Sequence, residues 1–238
     1  MKLLAKGHRA VFLSVTIGNA GHMSMEKEAL RQRRQREMEN AAAVVGVPYE
    51  TLDLDDGYLT AAIPTREKLM RYIRKIRPDV IVTHRSSDYH PDHRACGQLV
   101  CDCSYLVGVP LFCPDVPAMR KAPVILFTED RFTFPAPFRA DVAVACDAWI
   151  DRKIQGTLCH ESQFYEWLAY DGNWTEVLNS KTKEEAAAHL EERLRQWSAR
   201  PVARFPKLFP SGARYGEVFQ IDEYGGKMTE EIRQAMED

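Results

Sequence analysis

Three apolar, β-branched runs recur in the first half of the chain: Ala10-Val-Phe-Leu-Ser-Val-Thr-Ile17, Tyr49-Glu-Thr-Leu-Asp-Leu54 and Val80-Ile-Val-Thr83. Near-continuous runs such as the first and third mark strands covered on both faces, and the second alternates like a strand. Helical segments separate them. Ser24 reads as an N-cap, with Glu26 and Glu28 near the positive helix end. That helix runs to about Val45 and stops at Gly46, its inner face marked by Leu30, Glu37, Ala41, Val44 and Val45. A second spans Thr65 to about Ile76, with Leu69, Met70, Ile73 and Ile76 on one face and Pro78 behind it. Strands alternating with helices of this length imply βαβ units and a parallel sheet.

Beyond residue 93 the pattern continues. A helix is expected from Arg94 to about Val107, strands at Val124–Phe127 and Asp141–Cys146, and an irregular stretch from Thr128 to Pro137. One long helix follows from Ala148 towards Tyr170, then one or two charged helices over 174–198. A Pro-rich span at 201–210 reads as a linker or surface loop, Tyr215–Ile221 as a late strand, and the last dozen residues as a polar helical tail. Residues 1–8 look like the end of an amphipathic helix closed by Gly7. The length of 238 residues suits one large α/β domain, read as 1–238 with 201–238 as a peripheral C-terminal segment.

In open parallel sheets ligands bind beyond the carboxyl ends of the strands. Three strands here end in polar loops, Gly18–His22, Asp55–Gly57 and His84–His93, which such a fold turns towards one crevice. No P-loop and no G-x-G-x-x-G follows the first strand, so nothing favours a nucleotide. The richest loop is Asp88-Tyr-His-Pro-Asp-His93, with two imidazoles and two carboxylates in six residues. Imidazole binds metals readily and titrates near neutrality, so the cluster suits a metal site with acid–base support. Pro91 fixes its own φ and keeps His90 extended, which places His93 at the start of the next helix. The plain alternative is a polar loop with surface histidines.

A formal net charge of −2 gives no argument for nucleic acid or for an anionic membrane. Arg31 to Arg36 holds four arginines in six residues and reads as a solvated helix face, RNA binding through it being a third reading that needs basic partners elsewhere. The six cysteines form no CxxC pair and read as small buried thiols of a reducing cytosol. A metal site at Cys101 and Cys103 would rest on C-x-C alone. No apolar run approaches the roughly 20 residues of a membrane span, and Met1–His8 is too short and polar for a signal peptide. A cytoplasmic location is the expectation.

In order along the chain, Thr16-Ile-Gly-Asn-Ala-Gly-His22, Arg34-Gln-Arg-Glu37 with Ala41-Ala-Ala and Val45-Gly46, Asp56-Gly-Tyr-Leu59, Asp88-Tyr-His-Pro-Asp-His93, His160-Glu-Ser-Gln163 and Tyr215-Gly-Glu-Val-Phe219 form a motif series. The series resembles that of the PIG-L/LmbE-like de-N-acetylases, zinc-dependent hydrolases that remove acetyl groups from N-acetylglucosamine-type amino sugars. The resemblance implies a Rossmann-like, three-layer α/β fold around a parallel sheet. Carried over by motif, His93 would be a zinc ligand, and His90 would protonate the leaving amine and stabilise the oxyanion. Asp92 would tune the charge of His90, while Arg34 and Asp56 would contact substrate hydroxyls. For Arg34 and Glu37 a mutual ion pair tying helix to sheet is the structural alternative.

The family's first motif, A-H-P-D-D-E, is absent from the sequence, and with it the first strand, two zinc ligands and the general base. A catalytic zinc takes three protein ligands and an open position, so His93 alone does not suffice. His22, His84 and Asp88 are the residues that would have to substitute. Two functions follow as expectations. One is a zinc-dependent hydrolase acting on an N-acetylglucosamine-type amino sugar or conjugate, incomplete over these residues. The other is a non-catalytic sugar-binding or scaffold paralogue without the metal. Either takes a small amino sugar or glycoconjugate as its partner, with no nucleic acid and no membrane span, and a homo-oligomer would cover the sheet edge left by the first strand.

Overall fold

A computed structural model describes residues 1–237. In chain order the elements are α1 (Lys2–Ala5), β1 (Phe12–Thr16), α2 (Lys27–Val45), β2 (Tyr49–Leu54), α3 (Ile63–Ile76), β3 (Val80–Thr83), α4 (Pro91–Leu106) and β4 (Val124–Thr128). They continue with β5 (Val142–Ala145), α5 (Ile150–Leu158), α6 (Leu168–Asp171), α7 (Thr175–Leu178), α8 (Lys183–Arg204), β6 (Gly216–Ile221) and α9 (Glu230–Glu237). The chain forms two compact units, each built from two stretches: Met1–Asp56 with Ala145–Gly216, and Gly57–Val144 with Glu217–Asp238.

In the first unit β1 and β2 pair in parallel, Phe12 opposite Tyr49 and Ser14 opposite Thr51, with α2 as the crossover. Helix α2 begins after Glu26 rather than Ser24, and Gly46 ends it in the left-handed region (φ 75°), as a C′ glycine does. It buries Leu30, Glu37, Met38, Ala41 and Val45. Helix α5 crosses it closely, because a Cβ on Gly156 would stand 2.6 Å from a Val45 methyl. Two apolar clusters fill the helical layer, Ile150, Ile154 and Leu194 in one and Ala169, Val177, Ala186 and Leu190 in the other.

The long helix expected over 148–170 is interrupted. It stops at Leu158, and Ser162–Trp167 forms a π-helical turn before α6. The break coincides with a contact from another helix: the Ser162 N–H donates to the Glu37 carboxylate at 2.8 Å instead of to a carbonyl of its own helix. Helix α8 also runs through Pro201, which is buried, so the linker expected at 201 begins later.

In the second unit the strand order is β3-β4-β6-β5. Strands β3 and β4 are parallel, Val80 opposite Val124, whereas β6 runs antiparallel to β4, Leu126 opposite Ile221. The strands therefore form small sheets, one of them mixed, rather than a single parallel sheet. The segment 201–238, read as peripheral, supplies β6 between β4 and β5, and Val218 on it is buried. Helix α3 buries Leu69, Met70 and Ile73 as its periodicity requires, and Arg74 with them. The Arg74 guanidinium is 2 % exposed and donates to the carbonyls of Leu106, Val107, Val109, Phe112, Cys113 and Val116. A charge neutralised by six carbonyl dipoles, two of them in the last turn of α4 and its cap, satisfies both the guanidinium and the helix end.

Candidate active site and metal centre

In the second unit the chemistry gathers where β3 ends and α4 begins. His90 is the N-cap of α4 in extended backbone (φ −85°, ψ 129°), Pro91 occupies the first helical position, and His93 lies in the first turn. The His90 Nδ1 accepts the Asp92 N–H at 3.2 Å, so in the neutral ring the proton sits on Nε2. Asp88 accepts the His90 N–H at 2.8 Å through Oδ1, and the same oxygen lies 3.0 Å from His93 Nδ1. A carboxylate on one ring nitrogen fixes the tautomer and leaves Nε2 of His93 with its lone pair.

His84, just beyond β3, stacks on His93 with ring centroids 4.2 Å apart and planes 3° from parallel. Gly97 permits this pairing, since a Cβ there would stand 2.4 Å from the His84 carbonyl oxygen. Burial, with His93 beside it, pushes the His84 imidazole down to about 4, so it is neutral near pH 7 and its lone pair is available. His84, Asp88 and His93 bring three donor atoms within 4.8 Å of one another. Two imidazoles and a carboxylate match the ligand count of catalytic zinc sites. The Cys101 and Cys103 thiols are instead pushed up to about 12, chiefly by burial, and stay protonated.

Asp92 is buried and accepts the backbone N–H groups of Gly57 (2.7 Å) and Leu59 (3.2 Å). Its carboxylate thus fastens the Gly57-Tyr-Leu59 segment to the first turn of α4. That bond joins two motifs that are separate in the sequence.

In the first unit Arg34 projects from α2 and donates to Ser162 Oγ (2.7 Å) and the Gly21 carbonyl (3.0 Å). Ser162 Oγ in turn donates to Glu37 at 2.7 Å. The ion pair with Glu37 is made by Arg33, at 3.2 Å, and not by Arg34. Burial lowers the Arg34 guanidinium from its usual range, and the carboxylates of Glu37 and Asp56 act against that. Gly18, in the left-handed region at φ 70°, leaves room beside it: a Cβ there would meet the guanidinium at 3.0 Å. The Asp56 N–H is held by Asn19 Oδ1 at 3.0 Å. Arg34 and Asp56 are thus placed in the first unit, and His90, Asp92 and His93 in the second.

His22 has both ring nitrogens engaged, Nε2 with Glu166 at 2.7 Å and Nδ1 by the Ser24 and Met25 N–H groups. It has no lone pair left for a metal. Glu166 also pairs with Arg33, a role that nothing in its sequence surroundings signals. The arginine run is consequently not a purely solvated face, as Arg31 pairs with Asp53 and Arg33 and Arg34 are bound.

The family model of the PIG-L GlcNAc-PI de-N-acetylases matches residues 1–104. A diacetylchitobiose deacetylase of Thermococcus kodakarensis is 28 % identical over 172 residues, 69 % of this chain and 63 % of the relative, so the chain spans under two thirds of that relative's length. Among solved structures, the N,N′-diacetylchitobiose deacetylase of Pyrococcus horikoshii, in complex with its inhibitor MPG, superposes with a TM-score of 0.71 at 21 % identity over 94 % of this chain and 76 % of that one. GalB, the 4-carboxy-2-hydroxymuconate hydratase of Pseudomonas putida, gives 0.72 at 18 % identity over 96 % and 90 %. In its motif series, in the family model over residues 1–104 and in its fold, the chain is similar to the PIG-L/LmbE-like proteins.

Proposed function

We propose that the chain is a zinc-dependent hydrolase that removes the acetyl group from an N-acetylglucosamine-type amino sugar. The observation that carries this is the donor set His84, Asp88 and His93 with His90 beside it, its ring centroid 4.8 Å from that of His93. The fold by itself does not choose the reaction, because a hydratase shares it.

His84, Asp88 and His93 would hold the zinc, which supplies Lewis acidity towards an acetamide carbonyl when bound. His90 offers Nε2–H, since its Nδ1 is occupied by the Asp92 amide. That N–H donates a hydrogen bond to the carbonyl oxygen as negative charge develops there. Water adds to the carbonyl carbon and gives up a proton to solvent, the C–N bond breaks, and the departing nitrogen takes a proton relayed from solvent through His90, so that acetic acid and the free amine leave. Asp92 positions His90 through the first turn of α4 and tunes its charge state. Arg34 and Asp56 bind sugar hydroxyls, held for that purpose by Ser162 and Asn19 respectively.

The test is to supply the chain with zinc and N,N′-diacetylchitobiose and to measure metal stoichiometry and released amine. We expect about one zinc per chain and amine release that chelation abolishes. Saccharide binding that survives chelation without any release would replace this reading with the non-catalytic sugar-binding one.

A further inference from the structure

The arginine run of α2 leaves two neighbouring guanidinium groups in different states. Arg33 has all three nitrogens engaged: Nη1 and Nη2 donate to the two oxygens of Glu166, the first at 2.9 Å, and Nε lies 3.2 Å from Glu37 Oε1. Arg34 has two engaged, Nε on Ser162 Oγ and Nη2 on the Gly21 carbonyl. Its Nη1 has no partner among the described residues and stands beside Gly18, whose missing Cβ keeps that space open. Arg33 is a fastening, whereas Arg34 is a held group with one donor to spare.

Both anchors of Arg34 depend on Glu166. The first runs through the loop after β1. Glu166 Oε2 lies 2.7 Å from His22 Nε2, and because His22 Nδ1 accepts the Ser24 and Met25 N–H groups, Nε2 carries the proton and donates it to the carboxylate. His22 is thereby fixed, and the carbonyl of Gly21, next to it in the chain, stays under Arg34 Nη2. The second anchor runs through α2. Ser162 Oγ gives its one hydrogen to Glu37 Oε2 at 2.7 Å, which turns a lone pair towards Arg34 Nε. Glu37 is also the other carboxylate within reach of Arg33. Without Glu166, Arg33 would turn its terminal nitrogens on Glu37 and displace the Ser162 hydroxyl. Burial opposes ionisation of Glu166, but the bonds from Arg33 and His22 hold its carboxyl below the usual range, so it is charged at neutral pH. Ser162 and Glu166 both belong to the π-helical turn, a form that recurs at functional sites.

We infer that Glu166 is a positioning residue for substrate binding: it aims the free Nη1 of Arg34 by holding His22 on one side and Arg33 on the other. The inference rests on the reading of Arg34 as the group that meets sugar hydroxyls, and adds the residue that sets its direction.

Glu166→Gln tests this with the side-chain shape conserved, because an amide has one oxygen and cannot accept from Arg33 and His22 as the carboxylate does. Two quantities are measured on the full chain: the calorimetric affinity for N-acetylglucosamine, and the nuclear magnetic resonance signal of the Arg34 Nε–H, identified by its loss in Arg34→Lys. Wild type should bind the sugar and show a slowly exchanging Nε–H. In Glu166→Gln we expect the affinity to fall about tenfold, the scale of one hydrogen bond to a charged group, and the Nε–H to exchange faster. If Glu166→Gln does not fold, Glu166→Asp, charged but one carbon shorter, is held to the same criteria. An unchanged affinity overturns the inference, as does an affinity that falls while the Nε–H is unmoved, or a wild type that binds no sugar. The expected pattern without any amine release upholds the positioning role and defeats the deacetylase reading. Amine release with an affinity unchanged in the variant does the reverse.

Discussion

At the scale of single residues, the two histidines of His90-Pro-Asp-His93 have separable tasks because their surroundings differ. His93 keeps Nε2 free while Asp88 holds Nδ1, whereas His90 has Nδ1 filled by an amide. His93→Ala should therefore lose cobalt or zinc affinity by at least 100-fold, and His90→Ala should retain it while turnover falls. Cobalt absorption spectra and amine release measured side by side check this, and the opposite pattern would exchange the assignments. His160 carries a second prediction. Burial, with Arg34 nearby, holds its imidazole below its usual value against the opposing Glu37 carboxylate. In the unfolded chain that imidazole titrates near 6.5, so below about pH 6.5 the unfolded state takes up a proton that the folded state refuses. The corresponding stability is present above that pH and is lost as pH falls towards the folded value. His160→Gln should flatten the decline of the urea midpoint between about pH 7 and 5 relative to wild type; parallel curves would remove His160 as a contributor.

At the scale of elements, the approach of α4 to the end of β3 is set by a missing methyl group. Gly97→Ala would drive a Cβ to 2.4 Å from the His84 carbonyl, so the helix must withdraw and the His84–His93 stack must open. We expect a stability loss of about 1–3 kcal/mol by thermal melting and a weakened metal site at the same time; loss of one without the other would show that Gly97 does not link them. Replacing Arg74 by Met leaves six carbonyls without their donor and should cost about 3 kcal/mol or more in a urea titration. The contrast between these two positions and the strands explains what the sequence made legible. Strand β3 over Val80–Thr83 and the extended backbone of His90 follow from an apolar run and from Pro91, which are local signals, whereas the helix expected from Arg94 begins three residues earlier, at Pro91 itself. The π-helical turn depends on Glu37 reaching Ser162 across 125 positions, and Arg74 on a helix face whose other members are apolar. Long-range polar contacts leave no periodicity to read. The same holds at the candidate site, where the histidine motif was evident and His84 was one of three candidate substitutes, set apart from His22 only by its packing on His93 of α4.

At the scale of the whole molecule, chain order and spatial order diverge most at the C-terminal end. Strand β6 comes last in the sequence but stands between β4 and β5, so each neighbour relies on it for an edge. The Asp141 N–H reaches the Phe219 carbonyl at 2.9 Å, and the Asp222 N–H reaches Ile125 at 2.9 Å. Arg233 of α9 adds a bond to the Asp141 carbonyl at 3.0 Å. An inner strand pairs on two sides and buries apolar residues, here Val218 and Phe219, so its removal uncovers two edges and a core face together. A chain ended after Arg214 should consequently lose cooperative unfolding and aggregate, whereas one ended after Lys227, which keeps β6 and drops α9, should melt cooperatively at a lower temperature. Circular dichroism melts of the two truncations separate the cases. A cooperative transition in the shorter one within about 5 °C of wild type, a shift worth only about 1–2 kcal/mol, would show that β6 is dispensable and that the second unit closes without it.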